Sequence, residues 1–217
     1  MSFLLKPRIF GVLLFDGFAP LDVFGPIQFF HNLSQQYPLE IIFISKDGNP
    51  VQYDYKTQNI KVHCSFGNTP KLDLFMVPGG MGTRQLVNDT ETKEFILKHC
   101  RESQVVFSVC TGSALLASTG FLNNKRATSN KKAWNWVTSI SDKVDWVHQA
   151  RWVEDNDLIT SSGVAAGMDA ANFIIKKYYS DEVALEIANA IEYEAQQDSN
   201  IDHFASVFPA SSNKQQM

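Results

Sequence analysis

The chain has 217 residues, 44% of them hydrophobic, which is enough for one buried core of the size common in doubly wound α/β domains. Its net charge of −4 is small and its charges are scattered, so neither nucleic acid nor a membrane surface is indicated as a partner. No stretch approaches the ~20 apolar residues of a membrane span. Three irregularly spaced cysteines suit neither a disulfide framework nor a zinc site, which favours a cytoplasmic location.

Apolar strands alternate with helical segments along the chain. The predicted strands cover residues 8–15, 39–45, 72–77 and the run that begins at Val105, with one or two short exposed strands in 51–63 and a hairpin over 144–160. The predicted helices cover residues 27–36 with Pro26 in the first turn, 90–103, 113–119, 131–140, 164–179 and 181–194 with Asp181 as the cap. A single domain over 1–217 is expected, with its core over about 8–205 and a polar C-terminal tail.

This alternation predicts an α/β fold with a mostly parallel sheet covered on both faces, because the strands are too apolar to be half exposed. In such sheets ligands bind at the carboxyl ends of the strands. Three segments fall at predicted strand ends, and they are residues 16–22, 78–82 and 110–112. We therefore expect these segments to converge on one site.

The stretch 105–117, V-V-F-S-V-C-T-G-S-A-L-L-A, passes from a strand composition directly into a helix composition. Ser108 and Gly112 flank Cys110 at two residues on either side, which is the spacing of a nucleophile elbow written with cysteine. A thiol at a helix N-terminus is expected to have a lowered pKa, with the N–H of Thr111 aimed at an oxyanion. The alternative is an inert core cysteine at a strand end.

Two further features flank the predicted nucleophile. The loop P-G-G-M-G at 78–82 can bring backbone N–H groups close to a developing charge, so Gly79 and Gly80, with Gly112, are candidate oxyanion or substrate-binding residues. An ordinary glycine-rich turn is the alternative. Asp22 lies in an apolar segment at the same rim as Cys110. It is either a helix cap or a carboxyl group that titrates as a coupled pair with the thiol, and Asp16 is the competing carboxylate.

Five motifs in order resemble those of the ThiJ/PfpI superfamily. They are L-D-V-F-G-P (21–26), V-P-G-G-M-G-T-R (77–84), S-V-C-T-G-S-A-L-L (108–116), K-R-A-T-S-N-K (125–131) and S-S-G-V-A-A-G-M-D (161–169). Within the superfamily the chain is most similar to the isonitrile hydratase-like branch and to proteins labelled intracellular protease/amidase. The resemblance implies a flavodoxin-like (class I glutamine amidotransferase-like) three-layer sandwich and a homodimer.

The resemblance also implies a mechanism. Cys110 is the nucleophile that attacks an isonitrile carbon, Asp22 protonates that carbon, and water hydrolyses the thioimidate to an N-substituted formamide. Thr111 and the glycines of the 78–82 loop assist, and the segment 163–169 shapes the pocket. The only expected ligand is a small-molecule substrate, with no metal and no organic cofactor.

Two departures from the family pattern restrict the chemistry. Protease-like members carry histidine directly after the cysteine, where this chain has Thr111, which argues against a Cys–His peptidase. Many relatives have histidine where this chain has Asn130, which cannot act as a base.

The five histidines and four tryptophans are expected at surface or core positions. Arg84 either binds an anionic substrate group or pairs with a surface carboxylate, and the second role is favoured.

Two other functional classes stay open at this point. A thiol amidase is disfavoured by the missing histidine, whereas a sensor that responds to oxidation of Cys110, or to a small molecule, is compatible with a reactive thiol. The same fold serves as the effector domain of AraC-type regulators, which carry a helix-turn-helix region after it. Only a short tail follows Asn200, so a transcription factor is not expected.

Overall fold

The computed structural model describes residues 6–53 and 59–210. In chain order its strands are β1 (Ile9–Leu13), β2 (Glu40–Ser45), β3 (Val51–Gln52), β4 (Asn59–Ile60), β5 (Cys64–Ser65), β6 (Leu74–Val77), β7 (Val105–Ser108), β8 (Arg126–Ala127), β9 (Asp145–Trp146), β10 (Trp152–Asp155) and β11 (Leu158–Ser161). Its α-helices are α1 (Pro20–Ser34), α2 (Thr83–Leu86), α3 (Thr90–Glu102), α4 (Gly112–Ser118), α5 (Trp134–Thr138), α6 (Ala166–Tyr178), α7 (Asp181–Ala190) and α8 (Phe204–Val207).

Within the described residues, seven strands form the main sheet in the order β10-β11-β7-β6-β1-β2-β5. All neighbours in this sheet are parallel except β10 and β11, which form an antiparallel hairpin at one edge. The central strands β6 and β7 are completely buried, as expected for a sheet covered on both faces. The predicted α/β fold with a mostly parallel sheet is confirmed.

Two separate groups of helices cover the sheet. Helices α1, α6 and α7 pack against one another, while α4 packs against α2, α3 and α5. Large aromatic side chains fill the core beneath them, and Phe10, Phe29, Phe75 and Phe107 are fully buried. No described helix is long and apolar enough to cross a membrane.

Two details of the predicted helices are wrong. Helix α1 begins at Pro20, and Pro26 lies inside it instead of in its first turn. Pro26 cannot donate a backbone hydrogen bond inside α1, which packs against α6 at this point. The cap of α7 is Ser180, whose Oγ accepts the N–H of Val183, and Asp181 is the first helical residue.

The predicted hairpin is shorter than expected. Strands β10 and β11 form it, with Asn156 at a φ of 57° in the turn, whereas β9 pairs in parallel with β8 outside the main sheet. One or two short strands were expected over 51–63, and the structure has two there, β3 and β4. Residues 54–58 between them lie outside the described part. The end of the polar tail, residues 211–217, also lies outside it.

The register of the sheet brings the three predicted segments together. Val77 of β6 is paired with Ser108 of β7, so the glycine loop and the Cys110 turn leave the sheet at the same level. The loop after β1 joins them through a bridge between Phe18 and Gly80, and the N–H of Ala19 donates to the carbonyl of Gly79 at 2.9 Å. The predicted convergence is therefore confirmed.

Candidate active site

Cys110 lies on a strained backbone turn between β7 and α4. Its φ of 57° is in the left-handed region, which a side chain with a Cβ rarely occupies. Hydrogen bonds hold the strained residue on both sides. Its N–H donates to the carbonyl of Ser162 at 3.0 Å, and its carbonyl accepts the hydroxyl of Ser129 at 2.8 Å. The predicted nucleophile elbow therefore has the backbone conformation and the support that the motif requires.

Gly112 follows the elbow in a crowded position. A Cβ on this residue would lie 2.1 Å from the carbonyl oxygen of Val77, and its N–H already donates to the carbonyl of Val109 at 2.9 Å. Gly112 therefore lets the helix pack closely against β6. The structure corrects its predicted role in binding an oxyanion or substrate, since its N–H is occupied.

Asp22 is the third residue of α1 and is completely buried. It is not a helix cap, because the capping position is Ala19 and no side chain caps this helix. Its Oδ2 accepts the N–H of Gly79 at 2.9 Å, while its Oδ1 has no hydrogen-bond partner among the described residues. Burial raises the pKa of this carboxyl from 3.8 to about 7, with the Gly79 N–H and the Cys110 thiol opposing the rise.

The thiol of Cys110 does not have the lowered pKa that its position at a helix N-terminus predicts. Burial raises this pKa, and the negative charge of ionised Asp22 raises it further. The N–H and hydroxyl of Thr111 and the side chain of Asn130 oppose the rise without overcoming it. Cys110 is only 6% exposed, so desolvation outweighs the field of a seven-residue helix. Cys110 and Asp22 each shift the pKa of the other, which is the behaviour expected of a coupled pair.

Gly79 and Gly80 are placed beside Cys110, but their N–H groups are already used. Gly79 donates to Asp22, and Gly80 donates to the hydroxyl of Thr111 at 3.0 Å. A Cβ on Gly79 would lie 2.5 Å from the backbone nitrogen of Thr111 and 2.8 Å from Oδ2 of Asp22. In the structure neither N–H is a free donor, whereas Gly80 lines the cavity beside Cys110, so a role of these glycines in binding an oxyanion or substrate stays a prediction. Both glycines fix Asp22 and Thr111 in place on either side of the thiol.

Asn130 is a site residue that the sequence analysis treated only as the loss of a histidine. Its Oδ1 accepts the N–H of Ala133 at 2.9 Å, which fixes the orientation of the amide and leaves Nδ2 as a donor. The Asn130 side chain lowers the pKa of the Cys110 thiol. This effect favours the thiolate form of Cys110. No signal in the sequence indicates this orientation.

The thiol opens into a cavity of about 490 Å³. Phe18, Tyr53 and Met81 contribute apolar surface to it, and Arg84 and Lys132 contribute positive charge. No histidine is among the described lining residues. His99 is buried in the core against Phe95, and the other four histidines are exposed or partly buried, as the sequence analysis expected.

A buried ion pair is connected to the backbone turn at Cys110 through Ser162. The ammonium of Lys131 lies 3.2 Å from the carboxylate of Asp202, and both side chains are almost fully buried. Asp202 also accepts the hydroxyl of Ser162, the residue whose carbonyl binds the N–H of Cys110. Burial lowers the pKa of Lys131 to about 8, and Asp202 opposes that shift. The C-terminal segment, which the sequence analysis described as a polar tail, is therefore connected to the site.

In residues 6–53 and 59–210, no group of three or more histidine, cysteine, aspartate or glutamate side chains is placed to hold a metal ion. The three cysteines are free thiols in the structure.

Comparison with known proteins identifies relatives of two kinds. Isonitrile hydratase from Pseudomonas putida is 31% identical over 183 residues, which cover 84% of this chain and 77% of that enzyme. The HTH-type transcriptional regulator GbdR from Pseudomonas aeruginosa is 25% identical over 196 residues. That alignment covers 87% of this chain but only 52% of the regulator, so the chain spans about half of its length.

Solved structures confirm the predicted flavodoxin-like fold. A ThiJ/PfpI family protein from Pseudomonas syringae superposes with a TM-score of 0.79 at 24% identity, over 94% of this chain and 85% of that one. Drosophila melanogaster DJ-1beta superposes with a TM-score of 0.74 at 17% identity, over 87% of this chain and 100% of that one. The model of the DJ-1/PfpI family matches residues 9–177. The chain therefore belongs to the DJ-1/PfpI family.

Proposed function

We propose that this protein is a cysteine-dependent hydratase that converts a small isonitrile into an N-substituted formamide. Cys110 is the nucleophile of the proposed reaction, and Asp22 carries the proton. The similarity to an isonitrile hydratase over most of the chain supports this reaction. The arrangement of Asp22 beside Cys110 supports the mechanism.

The observation that carries the proposal is the asymmetry of the Asp22 carboxyl. Oδ2 accepts the N–H of Gly79, and the carbonyl oxygen of a neutral acid is a better acceptor than its hydroxyl oxygen, which favours Oδ2 as the unprotonated oxygen. The proton of the neutral acid therefore resides on Oδ1, the oxygen with no partner in the described part of the chain. A carboxyl with a pKa of about 7 and a proton on a free oxygen is suited to both accept and donate that proton near neutral pH.

Before the reaction, the Cys110–Asp22 pair carries one proton, which is on the sulfur of Cys110. In the first step this proton moves to Oδ1 of Asp22, and the thiolate attacks the terminal carbon of the isonitrile. A C–S bond forms, and the imidoyl carbanion that results takes the proton from Oδ1. The product is a thioimidate on Cys110, with Asp22 ionised. The thiolate exists only during this transfer, since burial and the charge of Asp22 keep the pKa of the resting thiol high.

In the second step, water hydrolyses the thioimidate. Ionised Asp22 accepts a proton from the water as its oxygen attacks the thioimidate carbon, and that proton is delivered to the substrate nitrogen. The C–S bond then breaks, sulfur leaves with the bonding electrons, and the hydroxyl proton returns to the Cys110–Asp22 pair. One water is consumed, and the formamide is released.

The two other functional classes, a cysteine amidase and a redox sensor, receive less support. A cysteine amidase needs an acid that protonates an amine leaving group, which histidine commonly supplies, and no histidine lines the described cavity. A redox sensor usually relies on a thiol with a lowered pKa, whereas burial raises the pKa of Cys110. The hydratase mechanism requires neither feature.

Formamide production from cyclohexyl isonitrile, followed by chromatography, tests the proposal. We expect turnover by the wild type and background rates for Cys110→Ser, because serine has a far higher pKa and cannot form the thioimidate. Cys100→Ser is the matched control, since Cys100 is equally buried but lies on α3, outside the cavity lining. Loss of turnover in Cys100→Ser but not in Cys110→Ser, or no turnover by the wild type, contradicts the proposal.

A further inference from the structure

The cavity above Cys110 has a charge pattern that isonitrile hydration by itself does not require. Its charged lining side chains are Arg84 and Lys132, and no carboxylate is among the described residues that line it. Asp22 interacts with the Cys110 thiol but is completely buried, so it adds no exposed negative charge to the lining of the cavity. The isonitrile group is uncharged, so these two cations need a different explanation.

Arg84 is held in place by a stacking contact. It lies on α2, directly after the glycine loop, and its guanidinium carbon is 3.3 Å from the centroid of the Trp136 ring on α5. Such cation–π stacking stabilises the guanidinium and covers one of its faces. The edge of the group, with its N–H donors, is left to bind another partner.

One of those donors is buried without a partner. Nη1 of Arg84 is inaccessible to solvent and has no hydrogen bond among the described residues. No ion pair links Arg84 to any aspartate or glutamate in residues 6–53 and 59–210, so the surface pairing that the sequence analysis favoured is not found. Leaving a buried charged donor unsatisfied is costly, and native proteins do so rarely outside binding sites.

Arg84 is also within electrostatic reach of the thiol. Burial lowers the pKa of the guanidinium, and negative charge on Cys110 raises it. Cys110 and Arg84 both line the same cavity, so one substrate bound in it can contact both residues. Lys132 is exposed at the same cavity and adds a second positive charge.

We propose that the substrate of this site carries a carboxylate, which the edge of the Arg84 guanidinium binds while the reacting carbon sits at Cys110. Lys132 attracts the same anion from the rim. A planar carboxylate matches the planar arrangement of the N–H donors of a guanidinium group. This proposal rests on the proposed function, since it names the class of isonitrile, but the anion site itself can be measured without any hydration.

The first test compares two alkylating reagents of equal size that differ in charge. Iodoacetate and iodoacetamide both transfer a carbon to the Cys110 sulfur and release iodide, and peptide mass spectrometry identifies the modified cysteine. We expect the iodoacetate-to-iodoacetamide rate ratio at Cys110 to exceed the ratio for glutathione by about 10-fold or more. Arg84→Gln should return the ratio to that of glutathione, and Arg84→Lys should retain part of the preference.

The second test uses hydration of para-isocyanobenzoate and para-isocyanobenzamide. We expect the wild type to prefer the carboxylate in kcat/KM by about the same factor. Arg84→Gln should remove the preference mainly by raising KM for the benzoate. Arg101→Gln is the matched control, because Arg101 is exposed on α3 away from the cavity.

The outcomes separate the two proposals. Equal treatment of both isonitriles by the wild type and by Arg84→Gln overturns the carboxylate proposal and leaves the hydratase intact. If neither isonitrile is hydrated, the hydratase proposal fails, and the alkylation ratio alone decides on the anion site. An alkylation ratio at or below that of glutathione, or one that Arg84→Gln leaves unchanged, overturns the carboxylate site.

Discussion

Substitution of Asp22 by asparagine is expected to lower kcat/KM for isonitrile hydration about 1,000-fold, the range in which positioned acid–base groups contribute. Asparagine has the same shape, and its amide oxygen can still accept the N–H of Gly79. It cannot take the proton from Cys110 or return it to the substrate carbon. The variant should fold and should be at least as stable as the wild type above pH 7, because a buried carboxylate charge has been removed.

Asp16→Asn is the matched control for this prediction. Asp16 also follows β1, but it is exposed, and its Oδ1 accepts the N–H of Gln52 instead of facing the thiol. We expect Asp16→Asn to keep wild-type activity, measured by formamide production on the same substrate. An Asp22→Asn variant with near wild-type turnover would show that the carboxyl does not carry the proton.

Substitution of Asp202 by alanine is expected to lower the free energy of unfolding by about 3–5 kcal/mol, as for other buried ion pairs that lose one partner. The change leaves the ammonium of Lys131 buried with only three neutral acceptors, which are Thr128 Oγ1, the Ser129 carbonyl and the Ala150 carbonyl. It also removes the hydrogen bond to Ser162, which positions the N–H of Cys110. Urea unfolding at neutral pH measures the loss.

The pH dependence of this loss identifies its cause. The pKa of Lys131 is about 8 in the folded wild type and about 10.4 in an unfolded chain, and it falls further when Asp202 is removed. Above pH 8 Lys131 is neutral in both folded proteins, so the difference between wild type and variant should narrow there. Asp142→Ala, at an exposed position, is the control. A urea midpoint that Asp202→Ala leaves unchanged contradicts the structural role of the pair.

Local patterns in the sequence were sufficient to locate the turn that carries Cys110. The small residues on either side of Cys110 are required by the crowding of a strand that turns directly into a helix, so their spacing is visible without a structure. The register between Val77 and Ser108 then follows from the parallel sheet, and it places the glycine loop at the same edge. The resemblance to the family added the pairing with Asp22, which the structure brings beside the thiol.

The properties that sequence could not supply depend on burial and on contacts between distant segments. A helix N-terminus favours a thiolate, but desolvation of Cys110 is larger, and its size is known only after folding. The stacking of Arg84 on Trp136 joins segments more than 50 residues apart. The sequence did not predict the start of α1 at Pro20, because Pro26 also suits the first turn of a helix. That Pro26 lies inside α1, which packs against α6, is visible only in the folded structure.

The pH dependence of kcat/KM for isonitrile hydration by the wild type tests the central claim most directly. The pair with two protons has no thiolate available, whereas the pair with one proton can form the thiolate by transfer to Asp22. We therefore predict that log kcat/KM rises with unit slope as the pH increases through about 7 and then stays level. A profile that falls as Asp22 ionises, or that rises only near the ordinary thiol pKa of about 8.5, would contradict a proton shared between Cys110 and Asp22.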